Sequence, residues 1–316
     1  MRKTLAFLLA LVPLAAASAA ETQKVELKFA AVVGDKAFAC GQSYEHMGAT
    51  GSRITPSDMR FYVSQVELLD DRGQPTPVQL DQDGVWQVEN LALLDFEDGT
   101  GPCHNGNPGL HSTITGTVPK GKYRGVRFTL GVPFDLNHAD PTIAPSPLNI
   151  SAMFWAWQSG YKFVKIDMAT SGQPQDDLGT ETSMKDRVAQ MERIAKAATA
   201  APTNAPKSKP PQRAAGFSIH LGSTACASSS LTTPAIECRN PNRVAVAFDH
   251  LDPAKNVIVA DLGALVSDTN LDVNAPDSAP GCMSGVDDAD CPAMMSAFGL
   301  PFGAQPAGTQ RFFGQR

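Results

Sequence analysis

Short segments of alternating apolar and polar residues recur along the chain. The first is the clearest, because Val25, Leu27 and Phe29 alternate with charged residues, as in a strand with one buried face. Segments of this type, bounded by Gly, Pro, Asn or Asp, predict strands at residues 24–32, 59–69, 86–94, 112–118, 123–130, 161–167, 216–221, 244–248 and 257–261. Many short strands at this spacing predict an all-β protein, and we expect an immunoglobulin-like, Greek-key β-sandwich.

One block interrupts the strand pattern. Residues 183–200 carry apolar side chains at roughly helical spacing, and residues 201–211 are rich in Pro. Pro has no amide N–H and fits neither a helix interior nor a central strand. We therefore predict a partly helical, Pro-rich insertion at about 171–214, within a single domain that spans residues 21–316.

The first 20 residues have a composition of their own. Arg2 and Lys3 precede an apolar run at 5–14, and small residues follow at 17–20. This order is typical of a secretory signal peptide, and the run is shorter than the roughly 20 residues that a bilayer requires. We predict a signal peptide at 1–20 and a periplasmic, secreted or cell-surface protein without a membrane span. A retained anchor is the alternative.

The net charge of −6 argues against nucleic acid or an anionic membrane as a partner. The six cysteines of an exported chain favour disulfides over a thiolate metal site, and the chain has no Cys-x-x-Cys motif. Many pairings are compatible with the sequence. Nearness along the chain favours Cys226 with Cys238 and Cys282 with Cys291, and this leaves Cys40 for Cys103.

The histidines show no short metal-binding spacing, so a metal site would need residues from distant segments. His138 follows the predicted strand 123–130, and His220 lies within 216–221. Taken alone, each is more often a hydrogen-bonded structural histidine than a ligand. Ser223 near His220 raises the possibility of a hydrolase, but no Gly-x-Ser-x-Gly motif supports it.

Two of the three tryptophans, Trp155 and Trp157, are one residue apart. In an extended segment their indole rings would share one face of the sheet. From the residues alone, this pair is either a ridge of the core or a reactive site. It is also compatible with a metal-free, disulfide-stapled sandwich for adhesion or carbohydrate binding, in which indoles stack on sugars.

Several segments, in order from about residue 25 to residue 300, resemble one known family. They are Phe61-Tyr62-Val63-Ser64, Leu93-Leu94-Asp95-Phe96-Glu97, Gly131-Val132-Pro133 with Asn137-His138, residues 153–163, His220-Leu221-Gly222-Ser223-Thr224 with Cys226, and Gly281-Cys282-Met283-Ser284 with Cys291. This set is similar to the MbnP-like copper-binding proteins, the four-Cys proteins of the metallo-mystery pair system.

The resemblance implies a non-enzymatic copper protein that serves copper acquisition, storage or handling. Its implied partner is a MauG-like, MbnH-like di-haem peroxidase that oxidises a tryptophan to kynurenine. Carried over by position, His138 and His220 are the expected copper ligands, and Trp155 or Trp157 is the expected site of modification. Trp86 is a weaker third candidate. The resemblance leaves the copper oxidation state open.

Overall fold

The computed structural model describes residues 21–107, 109–156, 159–171, 212–213, 216–229, 233–276 and 278–316. Strands dominate them: β1 Thr22–Val33, β2 Lys36–Ala37, β3 Tyr44–Met47, β4 Ser52–Asp70, β5 Pro75–Pro77, β6 Gln79–Leu80, β7 Gln87–Val88, β8 Leu91–Asp95, β9 Thr113–Pro119, β10 Tyr123–Leu130, β11 Phe154–Ala156, β12 Gly160–Thr170, β13 Gln212–Arg213, β14 Phe217–Gly222, β15 Thr224–Ala227, β16 Glu237–Asn240, β17 Val244–Phe248, β18 Val257–Asp261, β19 Val273–Asn274, β20 Gly281–Cys282 and β21 Phe313–Gln315. The α-helices are short: α1 Phe134–Asn137, α2 Leu262–Val266 and α3 Pro292–Ala297. Single 3-10 turns lie at Gly101–Cys103 and Ser151–Met153.

Two sheets form the body of the protein. The larger has the strand order β17-β10-β4-β12-β14-β20, and further short strands pair with β4, β8 and β12. The smaller has the order β21-β18-β1-β9-β6. Most neighbours are antiparallel, while β1 with β18 and β14 with β20 are parallel. The predicted all-β sandwich is therefore confirmed.

The core lies between the two sheets and is rich in phenylalanine. Phe128 of the larger sheet packs edge-on against Phe29 and Phe313 of the smaller one, with ring centroids 5.8 and 5.1 Å apart. Phe61 of β4 contacts the Phe313 ring at 5.5 Å. These rings come from strands far apart in the sequence, so apolar burial holds the two sheets together.

Strand β4 shows how a bulge changes the simple alternation of faces. Gln65 has a φ of 53°, and the register between β4 and β10 shifts at this point. One extra residue in a strand reverses the facing of the positions that follow it. Phe61 and Val63, before the bulge, and Val66, after it, are all buried.

Nearly all predicted strands are present within one to three residues of their expected ends. Strand β4 is an exception, because it begins seven residues before the predicted residue 59. The predicted strand 86–94 is divided into β7 and β8, since Glu89 has a φ of 52° and turns the chain there. Within the described part of the chain, no helix is both long enough and apolar enough to cross a membrane.

Three disulfides close the structure, and all six cysteines take part. The pairs are those that nearness in the sequence favours, with Cα–Cα distances of 5.9 Å for Cys40–Cys103, 3.8 Å for Cys226–Cys238 and 4.6 Å for Cys282–Cys291. The alternative of a thiolate metal site is therefore wrong, because no cysteine keeps a free thiol.

Two predicted segments lie outside the described residues. These are the signal peptide at 1–20 and nearly all of the insertion at about 171–214. At the end of that insertion, Gln212–Arg213 forms β13 and pairs with β19.

Candidate metal centre

His220 lies on β14, where its neighbours Ile219 and Leu221 are buried in the core. Alternation turns the imidazole to the opposite face of the larger sheet. There its Nε2 is 2.8 Å from Oδ1 of Asp167 on the adjacent strand β12. A carboxylate only accepts hydrogen bonds, so Nε2 is the protonated nitrogen and Nδ1 carries the lone pair.

The pKa values of this pair describe a neutral imidazole beside an ionised carboxylate. Burial lowers the pKa of His220 and outweighs the opposing effect of Asp167. Burial would raise the pKa of Asp167, but His220 and Lys165 together outweigh it and hold that pKa well below its usual range. A neutral imidazole is the form that can bind a metal ion.

A row of charged side chains extends from His220 across the same face of the sheet. Lys165 Nζ lies 2.5 Å from Asp167 Oδ2 and also contacts Asp58. Arg60 binds Asp58 through two hydrogen bonds of 2.9 and 2.5 Å. The four residues Asp167, Lys165, Asp58 and Arg60 are called the ionic row below. The Arg60 side chain is 1% exposed, so the end of the ionic row that is farthest from His220 is buried in the interior.

The ionic row ends at two further carboxylates. Arg60 Nη1 is 3.6 Å from Glu97 Oε1, and Asp95 is the β8 residue paired with Arg60. Asn107 donates to both carboxylates, from its backbone N to Glu97 and from Nδ2 to Asp95. Burial, reinforced by the charge of Glu97, raises the pKa of Asp95 to about 7 despite Arg60.

Trp155 lies beside His220, with ring centroids 6.1 Å apart and planes inclined by 58°. The indole fits against Gly222, where a Cβ atom would be 2.7 Å from Trp155 Cζ3. Any other residue at position 222 would therefore displace the ring. Trp155 is partly exposed, and in this it differs from the buried aromatic residues of the core.

His138 follows α1 and is buried. Asn137 donates from Nδ2 to His138 Nε2 over 3.1 Å, and Cys238 Sγ is 3.3 Å from the same nitrogen. The Phe134 ring lies 4.7 Å away from the imidazole. An amide N–H only donates, whereas a disulfide sulfur only accepts, and weakly. The amide is the stronger partner, so Nε2 is the nitrogen with the lone pair, in contrast to His220.

Both histidines are anchored to β12. Asn137 accepts from the backbone N of Tyr161 over 2.8 Å, which fixes the residue before His138 at the start of this strand. His220 is paired with Lys165 further along the strand. Trp155 lies near both parts of this strand. Its neighbour Phe154 pairs with Tyr161 at the start of β12, and its own ring contacts His220.

The remaining predicted residues lie elsewhere or outside the described residues. Trp86, the third candidate for modification, stacks on His111 with ring centroids 5.2 Å apart and planes within 2°. Trp157 lies outside the described residues. Cys226 and Cys238 place sulfur close to His138, but both atoms are held in the disulfide.

The ionic row and Asn137 were not predicted from the sequence. A signal for the row was present, because Asp58 and Arg60 alternate with apolar Met59 and Phe61 in β4. The run from 164 to 168 in β12 repeats this alternation. Two strands with charges on one face and apolar residues on the other predict a polar sheet face, but not which charges meet.

Known proteins share this architecture. The sequence profile of the MbnP family matches residues 22–284. The chain belongs to the MbnP family. The solved structure of MbnP from Methylosinus trichosporium is similar, with a TM-score of 0.72 and 30% sequence identity over 93% of this chain and 98% of that one. No curated protein sequence matches the chain.

Membership in the MbnP family confirms the resemblance found in the sequence. The profile covers both histidines, Trp155 and the ionic row. It also covers the Cys226–Cys238 pair and Cys282, and it ends before Cys291. The residues of the candidate site therefore lie within the part of the chain that the family profile matches.

Proposed function

We propose that this MbnP-family protein is an exported, non-enzymatic copper-binding protein in which His138 and His220 are ligands. The observation that carries the proposal is the hydrogen bond between His220 Nε2 and Asp167 Oδ1. It leaves Nδ1 as the lone-pair nitrogen of a neutral imidazole, and imidazole is a good ligand for copper. Metal-bound histidines commonly donate their second N–H to a carboxylate in this way.

His138 also fits the role of a ligand. Its Nε2 carries the lone pair, and the interaction it would exchange for a metal is the hydrogen bond from the Asn137 amide. The exchange of one neutral hydrogen bond costs about 1 kcal/mol, which is small compared with a metal–nitrogen bond. The burial of His138 and the neighbouring Phe134 ring keep bulk water away from this nitrogen.

The maturation of the site involves the tryptophan segment. We propose that a di-haem peroxidase partner oxidises Trp155 or Trp157 to kynurenine. Two equivalents of hydrogen peroxide would cleave the indole C2–C3 bond and leave as water, and hydrolysis of the resulting N-formyl group would release formate. The contact between Trp155 and His220 supports Trp155, because a modified side chain there would bring an aromatic amine and a ketone beside the ligand. Trp157 remains the second candidate. His138 and His220 would hold the copper, and Asn137 and Asp167 orient the two imidazoles.

Copper titration tests the ligand assignment. Cu(I) is titrated in competition with a chromophoric chelator into wild type, His138→Ala, His220→Ala and the double variant, each expressed together with the proposed di-haem peroxidase. We expect one equivalent in wild type and no stoichiometric binding in the double variant. His250→Ala is the matched control, because this histidine is exposed, and it should bind as wild type does. Stoichiometric binding in the double variant would contradict the assignment.

Peptide mass mapping tests the maturation. The full chain is expressed for export with and without the proposed di-haem peroxidase partner, and tryptic peptides that contain residues 153–162 are compared. We expect the mass of kynurenine in place of one tryptophan only when the peroxidase is present. Unmodified Trp155 and Trp157 in the presence of an active peroxidase would refute this part of the proposal.

A further inference from the structure

We infer that Asp167 is a positioning residue that holds the His220 imidazole in the Nε2–H form, so that Nδ1 keeps the lone pair that would bind a metal. The inference rests on the proposed function, because it assigns a metal to that nitrogen. It goes further by naming the group that selects the tautomer. The hydrogen bond of 2.8 Å to Asp167 Oδ1 is the contact through which the selection acts.

The two oxygens of Asp167 have different partners, and this difference fixes the carboxylate. Oδ1 accepts from His220 Nε2, and Oδ2 accepts from Lys165 Nζ over 2.5 Å. An ammonium group can only donate, so the atom facing Lys165 must be an acceptor. A rotation of the carboxylate about its χ2 bond exchanges two equivalent oxygens and changes nothing for either partner.

Lys165 is itself held in place by the rest of the ionic row. It contacts Asp58, which also receives two hydrogen bonds from Arg60. The exposed fraction of the Lys165 side chain is 14%, and that of Asp58 is 5%. Water therefore has little access to these contacts, and the orientation of Asp167 is set by neighbours that are fixed in turn.

The imidazole of His220 has a second neighbour, Trp155. The Trp155 ring lies 6.1 Å from that of His220 and is seated against Gly222. The His220 ring therefore has both Trp155 and Asp167 as neighbours, and the hydrogen bond to Asp167 is the contact that selects its tautomer.

The isosteric variant Asp167→Asn makes a specific test possible. Lys165 still requires an acceptor, so the amide oxygen of the new side chain should face Lys165. The amide N–H group then faces His220 and can only donate, which forces Nε2 to accept and moves the proton to Nδ1. An Asp→Asn change in the catalytic triad of serine proteases selects the wrong histidine tautomer for the same reason.

The experiment measures the tautomer directly by two-dimensional 15N–1H NMR of the imidazoles in the copper-free protein. We expect Nε2–H for His220 in wild type and Nδ1–H in Asp167→Asn. Cu(I) affinity, measured separately by chelator competition, should fall by about 10- to 100-fold in the variant. The control Asp268→Asn changes an exposed carboxylate that pairs with Arg311, and it should alter neither quantity.

A second variant distinguishes tautomer selection from simple loss of structure. In Asp167→Asn combined with Lys165→Met, no ammonium group fixes the amide, so its oxygen can turn to His220. The Nε2–H form and most of the copper affinity should return. A double variant that keeps the Nδ1–H form would overturn the inference, as would an Nδ1–H form of His220 in the wild-type protein.

The outcomes separate this inference from the proposed function. If His220→Ala retains full copper affinity, the ligand assignment fails even when the tautomer of His220 depends on Asp167. If His220→Ala abolishes binding but Asp167→Asn changes neither tautomer nor affinity, Asp167 has no positioning role and the proposed function stands.

Discussion

The two histidines of the candidate metal centre lie in different electrostatic surroundings. His220 is bound by an ionised carboxylate at the end of the ionic row. His138 is bound by the neutral amide of Asn137 and lies against a disulfide and a phenylalanine ring. The same side chain is thus oriented by charge in one place and by a neutral hydrogen bond with packing in the other.

The difference has a structural origin. His220 belongs to a strand, and strand neighbours on β12 and β4 bring charged residues to the same face at regular intervals. His138 follows a short helix, so its contacts come from that helix and from the β15–β16 hairpin. A change in charge should therefore affect His220 first, and a change in covalent structure should affect His138 first.

The largest effect is expected from breaking the ionic row at Arg60. Arg60→Met keeps much of the side-chain volume but leaves Asp58 and Glu97 with one counter-charge fewer inside the protein. Removal of one partner from a buried ion pair costs about 3–5 kcal/mol. The free energy of unfolding, measured with guanidinium chloride at neutral pH, should fall by this amount.

The matched control is Arg127→Met, which removes an exposed ion pair with Glu67. The expected loss in that variant is less than about 1 kcal/mol, because solvent screens the pair. Equal losses in the two arginine variants would show that burial of the ionic row adds nothing to its contribution.

A smaller effect is expected when the disulfide beside His138 is removed. Cys226→Ala with Cys238→Ala opens a closure with a sequence separation of 12 residues, and the expected loss of unfolding free energy is about 3 kcal/mol. The 15N resonances of His138 should shift because Cys238 Sγ is 3.3 Å from Nε2, while those of His220 should remain.

Removal of the Cys282–Cys291 disulfide is the control for that experiment. Its sequence separation of 9 residues predicts a similar loss of stability. It should leave the resonances of His138 unchanged. A shift at His220 and none at His138 in the Cys226/Cys238 variant would reverse the contrast between the two surroundings.

The smallest expected effect, counted per pH unit, is a pH dependence of stability that comes from Asp95, next to the ionic row. The pKa of Asp95 is raised from 3.8 to about 7 by burial and by Glu97. Between these values the folded protein keeps a proton that the unfolded chain has lost, so the contribution of Asp95 to stability falls as the pH rises. The slope is at most about 1.4 kcal/mol per pH unit.

Asp95→Asn removes this titration. The free energy of unfolding of the variant, relative to wild type, should therefore increase as the pH is raised from about 4 to about 7. Denaturant unfolding of both proteins at several pH values across this range provides the measurement. A difference that is constant with pH would show that Asp95 does not titrate as its surroundings indicate.

Much of the fold could be predicted from local sequence patterns. Alternation identified most strands, because one face of each strand must be apolar to be buried. The division at Glu89 could not be foreseen, since a positive φ at a glutamate depends on the hydrogen bond that its backbone N donates to Gln82. The bulge at Gln65 likewise depends on pairing with β10.

The candidate site was only partly predictable. The family resemblance selected His138 and His220, which local spacing did not. Spacing singled out the tryptophan pair, but only as either a ridge of the core or a reactive site. Asp167 could not be assigned to His220, because the two residues are 53 positions apart and meet only through the register of β12 with β14. Cys238 is 100 positions from His138 and was expected only as half of a disulfide.

The sequence by itself determined the all-β class, favoured the disulfide pairs and indicated the residues that could bind a metal. These properties follow from period-two alternation, from cysteine spacing and from side-chain chemistry, all of which are local. The tertiary structure decided which charges surround which histidine. Strand register and sheet packing bring distant residues into hydrogen-bond contact, and those contacts determine which imidazole nitrogen is left with its lone pair.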